Sequence, residues 1–99
     1  MLEIVESETY RSWFAALRDP TVRARILARI RRLSIGNPGQ YRALSRGLIE
    51  LKIDVGPGFR VYCLRRDPTV VVLLCGGDKS TQRNDIRTAM RIALDWSNP

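Results

Sequence analysis

The chain has 99 residues, 44% of them hydrophobic and 27% charged, with a net charge of +7 and a pI near 10.4. That composition fits one small globular domain, and no run of about eighteen apolar residues is present to span a membrane. With no histidine, His-based acid–base catalysis, Ser-His triads and ordinary zinc sites are excluded, so proton transfers fall to Glu, Asp, Lys, Tyr or water.

Glu3, Glu6 and Glu8 stand where a signal peptide would carry basic residues, so a cytoplasmic protein is expected. Cys63 and Cys75 lie in apolar runs and are expected to be buried and reduced. The charge is uneven. Residues 1–19 carry two basic and four acidic side chains, whereas residues 20–48 carry seven arginines and no acid. Clustered positive charge points to a polyanion or an acidic protein as partner. Arginines outnumber lysines 15 to 2. Lys52 and Lys79 therefore stand out, because an ammonium can lose its proton when buried and a guanidinium cannot.

Along the chain, Leu2 to Val5 reads as a short strand. Ser7 caps a helix whose Tyr10, Trp13, Phe14 and Leu17 recur at helical spacing. Asp19-Pro20 ends it and starts a second helix with Val22, Ile26, Ile30 and Leu33 on one stripe. The arginines take the remaining faces, as a solvated surface or as a docking surface. Gly36-Asn37-Pro38-Gly39 is a turn and the polar stretch 40–47 a loop.

The period then changes to two. Ile49, Leu51, Ile53 and Val55 share one face of a strand; Leu48, Glu50, Lys52 and Asp54 share the other. Gly56-Pro57-Gly58 turns into a strand from Phe59 to Leu64, Arg65 to Pro68 turn again, and Thr69 to Cys75 reads as a central strand apolar on both faces. Gly76-Gly77 is expected to break that strand. Asp78, Ser80 or Thr81 would cap a last helix with Ile86, Ala89, Met90, Ala93 and Leu94 inside, running to about Trp96. The expectation is an α+β domain over residues 1–99, in the order β-α-α-β-β-β-α. It has an antiparallel meander and helices packed on one face of the sheet.

Glu50 and Lys52 are two apart on one strand and point the same way. Arg60, beyond a tight turn, shares their face, and Lys79 and Gln82 lie where the last helix begins. The amides of 79–82 would present free N–H groups to an anion. One carboxylate among cations suits phosphoryl transfer from RNA: a base takes the 2′-hydroxyl proton and cations hold the charged phosphorane. The plainer reading is a solvated sheet face with a weak ion pair. On that reading Tyr62 is a packing residue and Asp54 a support for the turn.

Glu50-Leu51-Lys52-Ile53-Asp54-Val55-Gly56-Pro57-Gly58-Phe59-Arg60-Val61-Tyr62 and Gly76-Gly77-Asp78-Lys79-Ser80-Thr81-Gln82 resemble the HigB-like "addiction module killer" branch of the RelE/ParE toxins. The helical hairpin with its Trp13-Phe14 pair and the Gly36-Asn37 loop fit as well. The resemblance covers nearly the whole chain. It implies a RelE-like fold and the toxin of a type II toxin–antitoxin pair, cleaving mRNA on the ribosome by 2′-OH attack without metal or cofactor. The implied partner is a helix-turn-helix antitoxin, HigA-like. The implied catalytic set is Arg60 on the scissile phosphate, Lys52 and Glu50 as base or electrostatic support, and Lys79. RelE carries a base-stacking tyrosine in its C-terminal segment, and some relatives a histidine. Here that segment reads Gln82-Arg83-Asn84-Asp85-Ile86, so RNA contacts are expected from Tyr62, Gln82 and Arg83. The alternative within the superfamily is a ParE-like protein that inhibits DNA gyrase by binding.

Overall fold

The structure, a computed structural model, describes residues 1–96. The elements run β1 (Glu3–Glu6), α1 (Glu8–Ala16), α2 (Pro20–Ser34), β2 (Tyr41–Ala43), β3 (Leu48–Ile53), β4 (Phe59–Asp67), β5 (Val70–Asp78) and α3 (Gln82–Trp96). Short 3-10 turns cover Ser45–Gly47 and Lys79–Thr81. The strands form one sheet in the order β1-β5-β4-β3-β2, with β1 parallel to β5 and the other pairs antiparallel. This is the expected α+β class, and the meander is β3-β4-β5. No described helix is long and apolar enough to cross a membrane.

Local chemistry sets the first helices as the sequence indicates. Ser7 accepts the Tyr10 amide at 3.0 Å and donates to the Leu74 carbonyl at 2.6 Å, so one hydroxyl caps α1 and pins it to β5. Asp19 accepts from the Thr21 amide at the start of α2, with Pro20 in the first turn. Arg23 donates to the Phe14 and Leu17 carbonyls, both at 2.9 Å, and its guanidinium lies 4.4 Å from the Phe14 ring centroid. That side chain closes the C-terminal end of α1, where carbonyls lack helical partners.

The helices do not share a face. Tyr10, Val22, Ile26 and Leu33 of α1 and α2 pack with Leu51, Ile53, Val61, Cys63, Val71 and Leu73 on one side. Ala89, Ile92 and Ala93 of α3 pack with Leu48, Tyr62, Leu64, Val72 and Leu74 on the other. The physical reason is β5 itself: a strand apolar on both faces needs cover on both. The buried stripe of α3 is Ala89, Ile92 and Ala93. Met90 and Leu94, expected inside, are 38% and 64% exposed. They flank a groove of about 490 Å³ with Leu48 and Leu64. Both cysteines are free and buried; burial pushes the Cys63 thiol well above its usual pKa and that of Cys75 up to about 12.

Three further expectations are corrected. The stretch 40–47 contains strand β2, which pairs with β3 at the sheet edge. All three of its residues are exposed, so no apolar alternation marks it. Strand β4 continues to Asp67, moving the hairpin turn to Pro68-Thr69. Gly76 and Gly77 do not break β5, which runs on to Asp78.

Close approach explains these glycines better than turn formation does. A Cβ at Gly76 would lie 2.4 Å from the Trp13 ring of α1, and one at Gly77 would lie 1.7 Å from Asp85 Oδ2 of α3. Helices press on the sheet from both sides at adjacent residues. Gly76→Ala should therefore displace Trp13 and destabilise the fold by about 1–3 kcal/mol, the usual scale for overpacking. Urea denaturation followed by tryptophan fluorescence measures it; wild-type stability would show that the contact yields freely.

Candidate functional site

Strand register assembles the charged residues. On the face that carries α3, one row across the sheet is Arg42, Glu50 and Tyr62, and the next pairs Lys52 with Arg60 and Arg60 with Gly77. Lys52 and Arg60 are direct cross-strand neighbours, an arrangement of like charges that destabilises a sheet unless an anion is near. Gly77 opposite Arg60 has no side chain of its own, and Asp85 and Thr81 fill the space above it. At Gly58, a Cβ would sit 3.4 Å from Arg60 Nη1 and 3.8 Å from Lys79 Cβ, which brings the third cation to the same corner.

These residues line a groove of about 390 Å³ with Gln40, Asp54 and Gly58. Lys79 is exposed and Lys52 half-buried. Among the described residues neither lysine has a carboxylate within 4.0 Å. Arg60 is held from behind, donating to the Gly58 carbonyl at 3.0 Å with its Nε 3.9 Å from Glu50 Oε2. Its side chain is 12% exposed.

Glu50 occupies a different place from the one expected. It is 0% exposed and lies under the groove, not on its wall. Oε2 accepts from the Tyr62 hydroxyl at 3.0 Å and from Gln82 Nε2 at 2.8 Å. Arg42 Nη2 donates to Oε2 at 3.4 Å, and its Nε approaches Oε1 to 3.2 Å without hydrogen-bond alignment. A buried carboxylate needs several partners to offset its lost hydration. These partners come from β2, β4 and α3. Glu50 ties these elements together and does not line the groove.

Of the residues expected to touch RNA, Tyr62 and Gln82 meet at Glu50 and Arg83 stands apart. Tyr62 is 0% exposed and offers no face for a base. Burial, then its bond to Glu50, raises its pKa beyond the usual phenol range. Gln82 is engaged with Glu50. Arg83 is exposed on α3 and does not line the groove. The helix start also differs from a free anion site: Asp78 accepts from the Ser80 amide at 2.8 Å, while the Asp78 amide donates to Thr81 Oγ1 at 3.2 Å. The Asp78 side chain thus fills two of the expected amides from within, that of Ser80 and, through the capping box, that of Thr81.

Two further residues contribute to the groove without a distinctive sequence signal. Asp54, read as a turn support, is the carboxylate on the groove wall. Arg29 donates to the carbonyls of Lys52, Pro38 and Gln40, the latter two at 2.8 Å, and so fixes the strand that carries Lys52. Nothing in its spacing separated Arg29 from the other arginines of α2, because its distinction is depth.

Removing the Glu50 carboxylate should leave Tyr62, Gln82 and two arginines short of a partner. Glu50→Ala should cost about 3–5 kcal/mol, the scale for breaking a buried charged pair. Glu50→Gln keeps the volume and one acceptor and should lose less. Chemical denaturation of both variants checks this; a Glu50→Ala protein as stable as wild type would contradict the structural role.

Residues 12–95 match the family described as "Phage derived protein Gp49-like (DUF891)". An uncharacterized protein of Haemophilus influenzae (strain ATCC 51907 / DSM 11121 / KW20 / Rd) is 44% identical over 94 residues, 95% of each chain. With the match spanning the latter part of α1, all of α2, the groove and most of α3, the chain belongs to the Gp49-like family of phage-derived proteins.

Proposed function

We propose that this protein is the toxin of a type II toxin–antitoxin pair in the RelE/ParE superfamily, and that it cleaves mRNA on the ribosome without a metal. The observation that carries the reading is the in-register pair Lys52 and Arg60, joined by Lys79 on one groove wall. Clustered cations of this kind suit a phosphate that gains charge during reaction. The sequence resemblance and the Gly76-Gly77-Asp78-Lys79 segment add to it, since β5 delivers Lys79 to that groove.

In the proposed reaction the 2′-oxygen attacks the adjacent phosphorus and the bond to the 5′-oxygen breaks. The products are a 2′,3′-cyclic phosphate and a 5′-hydroxyl. Arg60 grips the phosphate in bidentate fashion, Lys52 adds charge beside it, and Lys79 or water supplies the proton to the leaving oxygen. Glu50 is sealed below, so the 2′-hydroxyl proton passes to Asp54 or to water. Glu50 acts on the reaction only by holding the strands.

Arg60 gives the sharpest test. Its loss should remove about 3–4 kcal/mol of transition-state stabilisation, or two to three decades in rate. Arg60→Ala should abolish growth arrest on induction while melting like a folded protein. Arg60→Lys should restore part of the activity, because charge returns without the fork. Mapping of mRNA 5′ ends after induction, with the chemistry of the matching 3′ ends, reads the cleavage itself. Intact mRNA together with inhibited gyrase supercoiling would move the protein to the ParE-like reading, and a folded, fully toxic Arg60→Ala protein would remove Arg60 from the mechanism.

The proposed partner is a helix-turn-helix antitoxin with an acidic segment, matched to a chain of net charge +7. Their association should weaken as salt rises, most steeply below about 0.2 M where charges are least screened. Titration calorimetry across ionic strengths would detect it; an affinity indifferent to salt would count against charge as the basis of pairing.

A further inference from the structure

Two grooves meet on this molecule. The first is the one beside Arg60. The second, of about 250 Å³, lies along α2, where Arg25, Arg29 and Arg32 line it with Ala28. Gln40, Lys52, Ile53 and Asp54 line both grooves. The cationic lining therefore continues from helix to sheet, with Lys52 at the join.

Helical spacing explains the second groove. Arg25, Arg29 and Arg32 stand at i, i+4 and i+7 on one face. Arg29 is sunk and tied to the backbone of Lys52, Pro38 and Gln40, which draws α2 against the strand. Arg25 and Arg32 remain exposed on either side of it. Like charges at these spacings repel, and residues 20–34 hold no acid to offset them. Burial, then the charge of Arg32, lowers the pKa of Arg29. Among the described residues no carboxylate lies within 4.0 Å of Arg25 or Arg32. Asp54, the acid on the shared wall, makes no ion pair there either. A row of uncompensated cations leading to a phosphate site matches a ligand with regularly repeated negative charge.

We propose that the α2 groove binds the single-stranded RNA flanking the cleaved bond, through phosphate contacts from Arg25 and Arg32. The inference rests on reading the Arg60 groove as the cleavage site. Phosphate contacts set register and affinity without reading sequence. The lining favours RNA over a protein segment. Its apolar members are Ala28 and Ile53, whereas a protein partner wants large apolar anchors. Such anchors stand elsewhere, beside Met90 and Leu94.

The test uses the whole protein and two labelled 2′-O-methyl RNA probes, which lack the attacking hydroxyl: a long one of about twelve nucleotides and a short one of about three. Anisotropy titrations compare wild type, R25E/R32E and a control pair, R18E/R31E, which changes charge equally at exposed positions lining neither groove. R25E/R32E should weaken the long probe about tenfold or more and flatten its log–log salt slope by about 1.4, two contacts at 0.7 each. The short probe, measured by competition, should bind as to wild type, and the control pair should have a much smaller effect. Equal loss in the control pair would mean diffuse attraction and overturn the proposal. So would equal loss of the short probe. Unchanged RNA binding with weakened antitoxin binding would assign the groove to protein and overturn it too. Failure of the cleavage reading looks different: mRNA would stay intact in cells while the long-probe pattern persisted.

Discussion

A carboxylate without access to water must be surrounded, and much of this molecule is arranged around that requirement at Glu50. Tyr62 reaches it from β4, Gln82 from the first turn of α3 and Arg42 from the edge strand β2. Arg60 stands 3.9 Å away. A single side chain on β3 thereby joins four elements, and a charge so enclosed tolerates few alternative arrangements. Ionic groups are sometimes retained inside proteins for such uniqueness more than for stability. The groove above depends on it, since the strands that carry Lys52 and Arg60 and the turn that carries Lys79 are all held by elements that converge there.

The second constraint is thickness. At Gly76 and Gly77 the sheet is stripped to backbone, and Trp13 and Asp85 close in from opposite sides. The same strand that fixes α1 through Ser7 thus also sets how closely α3 approaches. Lys79 follows within two residues. Its location is a product of packing on both faces, which is why a glycine pair read as a break is instead the most compressed part of the strand.

Much of the fold was legible in the sequence because period and caps carry it. The helix stripe of Val22, Ile26 and Leu33, the Ser7 and Asp19 caps and the alternation of Leu48 to Ile53 all describe local physics that the tertiary structure upholds. What escaped is what pairing alone decides. β2 has no apolar residue inside the protein, so only its bonds to β3 reveal it. The side of the sheet chosen by α3 was implicit in the two-faced character of β5. The site was half legible. Alternation placed Lys52 and Arg60 together, and the motif after β5 brought Lys79. Alternation could not tell that Glu50, two residues from Lys52, faces a helix and not the groove, because depth along a strand face has no signature in the period.

The sheet also has an ordered distribution of strand lengths. Its two longest strands, β4 and β5 with nine residues each, lie inside, and its margins are β1 with four residues and β2 with three. A margin of three or four residues exposes few unpaired amides and carbonyls to another chain's strand. Short selvedges of this kind bear on life at high dose. A small basic protein that accumulates free of any partner would otherwise be exposed to edge-to-edge fibril growth, and this sheet gives such growth little to template on.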